Sequence, residues 1–425
     1  ASTRILAPRT PRPLTMPKPP IPRPLTAARP SSAAPTWSRR GGPPTRGSAC
    51  LWLLRHWCRL PHSTRRCRRH GCDLAYTPMF NARIFADQGG GAFTPGEGTG
   101  SDRPLVVQFA GHEPASLLAA GKLVQHRCDA VDINLGCPQR IAKRGRFGAY
   151  LLEEYEECAP AVGGSPSWAV GETAVGEGPS CSTPSCSDWP LLREMVGTLH
   201  CHLDVPVTCK IRVLDDPQRT IELARMLQDA GCSLLTVHGR TLAQKGRETG
   251  AVDWAAIARV RQAVSIPVLA NGGVETAADM VRCLSETGCD GVMLAEAALE
   301  NPAVFEGGAA GAAQEALALE YLELVEVGGL GRYSARLGEA KQHVFTLCYA
   351  GLQVHTDLRG RMHKAREVDE IAQIVRELQA RPRGVAGPFC SAPDAYTAWY
   401  HRHKWEWWKH EAGKGVNVCK QYGED

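Results

Sequence analysis

From residue 73 onward the chain alternates short apolar or β-branched runs with amphipathic stretches. No other feature limits the fold as strongly. The strand-like runs are Leu74–Met79, Leu105–Phe109, Ala130–Leu135, Val207–Val213, Leu234–His238, Val268–Asn271 and Gly291–Leu294. Helix patterns lie between several of them, at Thr220–Ala230, Trp254–Val264 and Ala277–Thr287. Strands joined by helices predict a parallel α/β fold, because each helix returns the chain to the starting edge. Seven strands are visible, and a closed barrel needs eight. Cys50–Leu54, within the poorly patterned stretch 49–62, is the candidate for the missing strand.

The rest of the chain divides by composition. Residues 1–48 are rich in Pro, Arg, Ser and Thr and should be disordered. Their Arg content and lack of acids also suit an organelle transit peptide, although the prolines oppose the helix such peptides form. Residues 156–187 carry loop composition and read as a disordered insertion on the barrel surface. After Pro302 the pattern becomes helical, with Ala316–Val327 and Ala335–Leu378 repeating at three and four spacing. This predicts a small helical domain over 306–380. The tail 381–425 holds an aromatic and basic run from Trp399 to Lys409, which suits either RNA stacking or a packed helix face.

The 17 cysteines include no C-x-x-C pair, so a reduced, intracellular protein is expected, with neither a disulfide framework nor a metal site. No apolar run reaches membrane-spanning length. Residues 1–72 hold 15 Lys or Arg and no Asp or Glu, leaving 34 basic against 44 acidic residues elsewhere. The positive net charge therefore says little about nucleic-acid binding by the core.

In a parallel barrel, functional groups gather where the strands end. Those ends are Gln108, then Asn134 with Cys137, then Lys210, then His238 with Arg240. Asn271, Gly272 and Gly273 follow, and Ala295 and Glu296 come last. The Asn-Gly-Gly loop exposes backbone N–H groups before a helix expected near Glu275. It reads as a phosphate cradle or as a simple turn. Lys210 inside an apolar strand is either a snorkelling lysine or a cation held against an anionic ligand. Alternation turns Cys209 to the opposite face, into the core. His238 fits a core histidine as well as a site residue. Cys137 has no neighbouring His to activate it, which suits a proton donor better than a nucleophile, and a structural cysteine is the alternative.

Taken together, these motifs resemble the tRNA-dihydrouridine synthases, most closely the type acting on D-loop uridines 16 and 17. The resemblance is carried by Tyr76–Met79, Val107–Ala110, Asp132–Gln139, Ala142–Gly145, Gly148–Ala149, Cys209–Arg212, Val237–Thr241, Gln244–Gly246, Ala270–Gly273 and Gly291–Met293. It covers 73–155 and 188–380. Residues 49–62 lack the Ala-Pro-Met motif with which the family's first strand begins. The resemblance implies a TIM (β/α)8 barrel over 49–305 with FMN at its mouth, and a C-terminal helical domain for tRNA. It implies that Gln108, Lys210 and His238 meet the flavin ring. Asn271, Gly272, Gly273, Ala295 and Glu296 would hold its phosphate. Asn134 would contact the uracil, and Cys137 would donate the proton. Arg240, Gln244, Lys245 and Arg247 lie on the loop expected to hold RNA. The implied activity is reduction of uridine to 5,6-dihydrouridine by NADPH or NADH, in a monomer of the cytoplasm or nucleus. An impaired tRNA-binding homologue and a flavin barrel reducing a small pyrimidine stand as alternatives.

Overall fold

The computed structural model describes residues 48–52, 66–90, 103–152, 189–245, 249–306, 313–327 and 334–381. Strands β1 Ser48–Trp52, β2 Leu74–Tyr76, β3 Phe80–Asn81, β4 Leu105–Ala110 and β5 Ala130–Leu135 come first. They are followed by β6 Val207–Arg212, β7 Leu234–His238, β8 Val268–Asn271 and β9 Gly291–Leu294. Neighbours run in chain order from β4 to β9, and all pairs are parallel. β9 then pairs with β1, β1 with β2, and β2 with β4, so the sheet closes into a ring. β3 adds a short second contact on β4 and is not a separate stave of the ring. Closure leaves no open edge among these strands.

The eighth strand is thus supplied by Ser48–Trp52, with Cys50 opposite Leu74 on one side and Met293 on the other. Ser48 pairs with Gly291, so it belongs to the barrel and not to the Pro/Arg-rich segment before it. The run expected over Leu74–Met79 stops at Tyr76, because Pro78 has no N–H for a ladder bond. The other strand positions follow the sequence reading to within a residue.

Strand alternation sorts side chains into two cores. Val107, Val131, Ile133, Cys209, Ile211, Val237, Ala270 and Val292 point outward into the layer beneath the helices. Leu74, Tyr76, Val106, Ala130, Leu234, Leu269 and Met293 point inward and plug the lumen. Cys209 is therefore a core residue, as alternation requires. Helix ends are chemically specified. Asp216 caps Pro217–Asp229, which starts earlier than its apolar pattern shows. Asp253 caps Trp254–Ala263. The helix after Asn-Gly-Gly starts at Ala277, not Glu275, because Thr276 and Asp279 form a capping box there.

Beyond the barrel, the stretch Ala335–Leu378 is not continuous. It is divided into Ser334–Leu347, Tyr349–Val354, Thr356–Lys364 and Val368–Ala380. These helices and Gln314–Val327 enclose a separate apolar cluster that includes Leu317, Tyr321, Val344, Leu347, Leu358, Ile371 and Val375. Among the described residues, no helix is long and apolar enough to cross a membrane, and no His/Cys/Asp/Glu group could hold a metal. Nearly all of the N-terminal segment, the insertion 156–187, Arg247 and the aromatic tail lie outside the described residues.

Candidate active site

The register of the ring stacks polar residues above the apolar plug in rows. Gln108 on β4 lies beside Asp132 on β5, which lies beside Thr208 on β6. One step higher, Asn134 neighbours Lys210, which neighbours Thr236 on β7. At the rim, Arg212 neighbours His238, which neighbours Asn271. All these side chains but His238 are buried. Such a polar floor requires bonding, and most of it is bonded. Gln108 Nε2 donates to Asp132 Oδ2 at 2.8 Å, and Thr208 Oγ1 donates to Asp132 Oδ1 at 2.6 Å. Asn134 Nδ2 donates to Gln108 Oε1 at 2.8 Å.

Burial governs the charges. Lys210, on β6, is 1% exposed. Its pKa is pulled down to about 7, first by burial and then by the Arg212 guanidinium, against the opposing charges of Asp132 and Cys137. Burial also lifts Asp132 to about 6, opposed by its bonds from Thr208 and Gln108. Two polar atoms facing this layer, Thr236 Oγ1 and Asn271 Oδ1, are buried and have no hydrogen-bond partner.

Cys137 sits half-buried on the loop after β5. Asn134 Oδ1 accepts from Gly136 N at 3.0 Å, and Ala149 N donates to the Cys137 carbonyl at 3.1 Å. Gly148, at φ +70°, lets the chain pass so close that a Cβ would stand 2.7 Å from the Cys137 carbonyl oxygen. Met79, Ala142, Phe147 and Tyr150 pack around the loop. Arg212 ties it to the loop after β7. Its Nε donates to Gly136 O at 2.9 Å, and its Nη1 donates to the carbonyls of Thr241 and Gln244.

The loop after β7 uses its polar side chains internally. Arg240 is 4% exposed, and its Nε and Nη2 both donate to Gly250 O. Its Nη1 meets His238 Nε2 at 3.1 Å. A guanidinium can only donate, so Nε2 accepts, and a neutral His238 ring carries its proton on Nδ1. Gln244 Oε1 accepts from Thr241 N. Lys245 Nζ donates to Tyr150 Oη at 3.2 Å, and that hydroxyl donates to Pro138 O at 3.1 Å. The chain thus brings Arg240, Gln244 and Lys245 to the mouth, but turns Arg240 inward. A hollow of about 240 Å³ beside this loop, lined by Asp215, Thr220, Asp253 and Arg259 among others, opens outside the lumen and holds none of the inward row residues.

Gly272 and Gly273 take φ of +99° and +74°. A Cβ at Gly272 would lie 2.8 Å from His238 Cδ2, so only glycine lets the loop run this close to the ring. Trp254 Nε1 holds the Gly272 carbonyl at 3.0 Å, and Asn271 Nδ2 bonds Met293 O at 2.8 Å. Ala295 stands immediately before the short helix Glu296–Glu300 on the neighbouring strand end, with no side-chain cap bond. Asp132, Thr208, Arg212, Tyr150 and Trp254 shape the site, although the sequence reading gave none of them a role there. An acid inside a strand whose other polar residue is Asn134 was the available signal for Asp132.

A closed parallel barrel whose C-terminal rim gathers a cysteine, a buried lysine and a glycine cradle defines an enzyme-like α/β barrel. The profile of the dihydrouridine synthase (Dus) family matches residues 57–163 and 186–379, and the chain belongs to that family. A tRNA-dihydrouridine(16/17) synthase-like protein of Rattus norvegicus is 40% identical over 321 residues, covering 74% of this chain and 63% of the relative. The tRNA-dihydrouridine(16/17) synthase of Saccharomyces cerevisiae is 37% identical over 303 residues, covering 69% and 63%. That of Schizosaccharomyces pombe is 34% identical over 329 residues, covering 74% and 73%. The chain thus spans under two thirds of the length of the first two of these relatives.

Proposed function

We propose that the protein reduces uridine to 5,6-dihydrouridine in the D-loop of tRNA, at positions 16 and 17, with FMN as cofactor and NAD(P)H as reductant. The observation that carries this reading is the shared rim of Asn134, Cys137, Lys210, His238 and the Gly272–Gly273 cradle. The rim fits an anionic, ring-bearing cofactor on three counts. Thr236 Oγ1 and Asn271 Oδ1 are buried without partners. Lys210 is a buried amine beside Thr236 and one row below Asn271. Gly272 and Gly273 hold positive φ, and the absence of a side chain at Gly272 keeps this loop and its backbone N–H groups close to the His238 ring. Gln108, Lys210 and His238 would hold the ring. Asn271, Gly272, Gly273, Ala295 and Glu296 would hold the phosphate, chiefly through backbone N–H groups.

When bound, FMN supplies the two-electron exchange between NAD(P)H and uracil. The protein's own part is orientation, charge and one proton. Asn134 fixes the uracil edge. Cys137 delivers its thiol proton to uracil C5 as charge develops toward the C4 carbonyl, and solvent returns that proton. The balance is one uridine, one NAD(P)H and one proton giving one dihydrouridine and one NAD(P)+. Lys210, in its low-dielectric layer, offsets negative charge at the mouth. The apolar plug keeps water from rising through the lumen. The uridine leaves its stack to reach the rim. Lys245 and Gln244 line its approach, while Arg240 acts through His238. The helices beyond Gln314 supply further tRNA contact.

The test is turnover of an unmodified tRNA transcript with added FMN and NADPH, with dihydrouridine mapped by nuclease digestion and mass spectrometry. Product at positions 16 and 17 is expected. Reduction of free uridine at an equal rate points instead to a small-pyrimidine reductase. Binding of tRNA with no product from a flavin-loaded protein refutes the activity.

A further inference from the structure

We propose that Asp132, which the proposed chemistry does not itself use, is a positioning residue that sets the hydrogen-bond polarity of Asn134 and thereby holds the Cys137 loop. The inference rests on the proposed reaction for its catalytic meaning, but its structural core does not.

The chain of bonds is directional. An ionised carboxylate only accepts, whereas a primary amide offers an acceptor on one side and donors on the other. Asp132 receives Thr208 Oγ1 on one oxygen and Gln108 Nε2 on the other. Gln108 must therefore turn its carbonyl oxygen away, and that oxygen accepts from Asn134 Nδ2. Asn134 in turn presents Oδ1 to Gly136 N, the residue before Cys137. Gly136 O receives Arg212 Nε. Asp132 and Thr208 are 0% exposed and Asn134 is 3% exposed, so water does not readily replace a lost member. The register makes this relay contiguous, since Gln108, Asp132 and Thr208 are direct neighbours across three strands.

The substitution Asp132→Asn keeps the shape and removes the polarity. If the new amide nitrogen faces Gln108, the relay reverses and Gly136 N loses its acceptor. If the new amide oxygen faces Gln108, the Thr208 hydroxyl meets an amide nitrogen and its proton has no acceptor there. Either arrangement leaves one buried polar hydrogen without an acceptor, and the first is favoured because its loss lies on the loop beside half-buried Cys137, whereas Thr208 is 0% exposed. The paired change Asp132→Asn with Gln108→Glu restores every bond. The amide introduced on β5 then accepts from Thr208 and donates to the carboxylate introduced on β4. That carboxylate accepts from Asn134 on its other oxygen.

The experiment is the iodoacetamide labelling rate of Cys137, followed by peptide mass spectrometry on the full chain at pH 8 without tRNA or flavin. Exposed Cys201 and buried Cys209 report reagent activity and global fold. Asp132→Asn should speed labelling of Cys137 about tenfold, the equivalent of one buried hydrogen bond, with both reference cysteines unchanged. The paired variant should return the rate to near wild type. An unchanged rate in Asp132→Asn, or a paired variant no closer to wild type than the single one, overturns the relay. A general acceleration that includes Cys209 also counts against it, because it assigns Asp132 to overall stability. On tRNA, Asp132→Asn should lower kcat more than it raises KM. Failure of the wild-type protein to reduce tRNA would sink the proposed function and leave the labelling result to judge the relay.

Discussion

Replacing Lys210 by Met tests the electrostatics of the site most directly. Met keeps the length of the side chain and removes the amine from a position that is 1% exposed. The folded-state pKa of Lys210 is about 7, against 10.5 for the ordinary side chain. Between those values the unfolded chain holds a proton that the folded one has released. Stability therefore rises with pH through this window, and the destabilisation is fully present below about pH 7. From pH 7 to 9 the Lys210 contribution should grow by about 2 kcal/mol, at roughly 1.4 kcal/mol per unit less the half-titration at the start. Asp132, with its pKa of about 6, is largely ionised across this range and adds little slope. The assay is urea unfolding of the cofactor-free protein and of Lys210→Met at each pH. The wild-type minus variant difference should rise by that amount. A flat or falling difference would show that the folded protein keeps Lys210 charged, and would refute the reasoning. Saturating FMN, by setting an anion against the amine, should flatten the slope.

Cys137→Ala should retain flavin binding and lose dihydrouridine formation by about 10²–10⁴-fold, the usual worth of a positioned acid, in single-turnover assays on tRNA. Gly272→Ala forces a side chain onto φ +99° and against His238 Cδ2. It should cost about 2 kcal/mol in urea unfolding and weaken FMN affinity roughly tenfold by fluorescence titration. Arg212→Met removes three bonds to carbonyls on two loops. It should raise hydrogen exchange in 136–150 and 241–245 together, at a stability cost of about 3 kcal/mol. Exchange confined to one loop would show that Arg212 does not couple them.

Much of the fold was legible because a parallel barrel buries both faces of each strand. Runs such as Ala130–Leu135 and Leu234–His238 are continuous and bounded, and they emerge as β5 and β7 without adjustment. The first strand was the weak point. Ser48–Trp52 becomes a strand only because β2 and β9 leave a gap that its backbone fills. Helix starts moved where a capping side chain outranked the apolar period, as at Asp216 and Thr276. The breaks at Cys348 and His355 divide a stretch whose three-and-four spacing gives no sign of them.

Period-2 alternation fixes the face of each strand residue and the loop residues fix the end to within two positions, so the residues near the barrel mouth were readable from the chain. Gln108, Asn134, Cys137, Lys210, His238 and Asn271 follow from that logic. Tertiary structure alone decided how they meet. The barrel's register sets Gln108 beside Asp132 and Lys210 beside Thr236, pairs separated by about two dozen residues of chain. It also turned Arg240 from an expected RNA contact into a buried donor to Gly250 and His238. Hydrogen-bond polarity belongs to the closed barrel, because an amide takes its direction from neighbours that only the ring brings into contact.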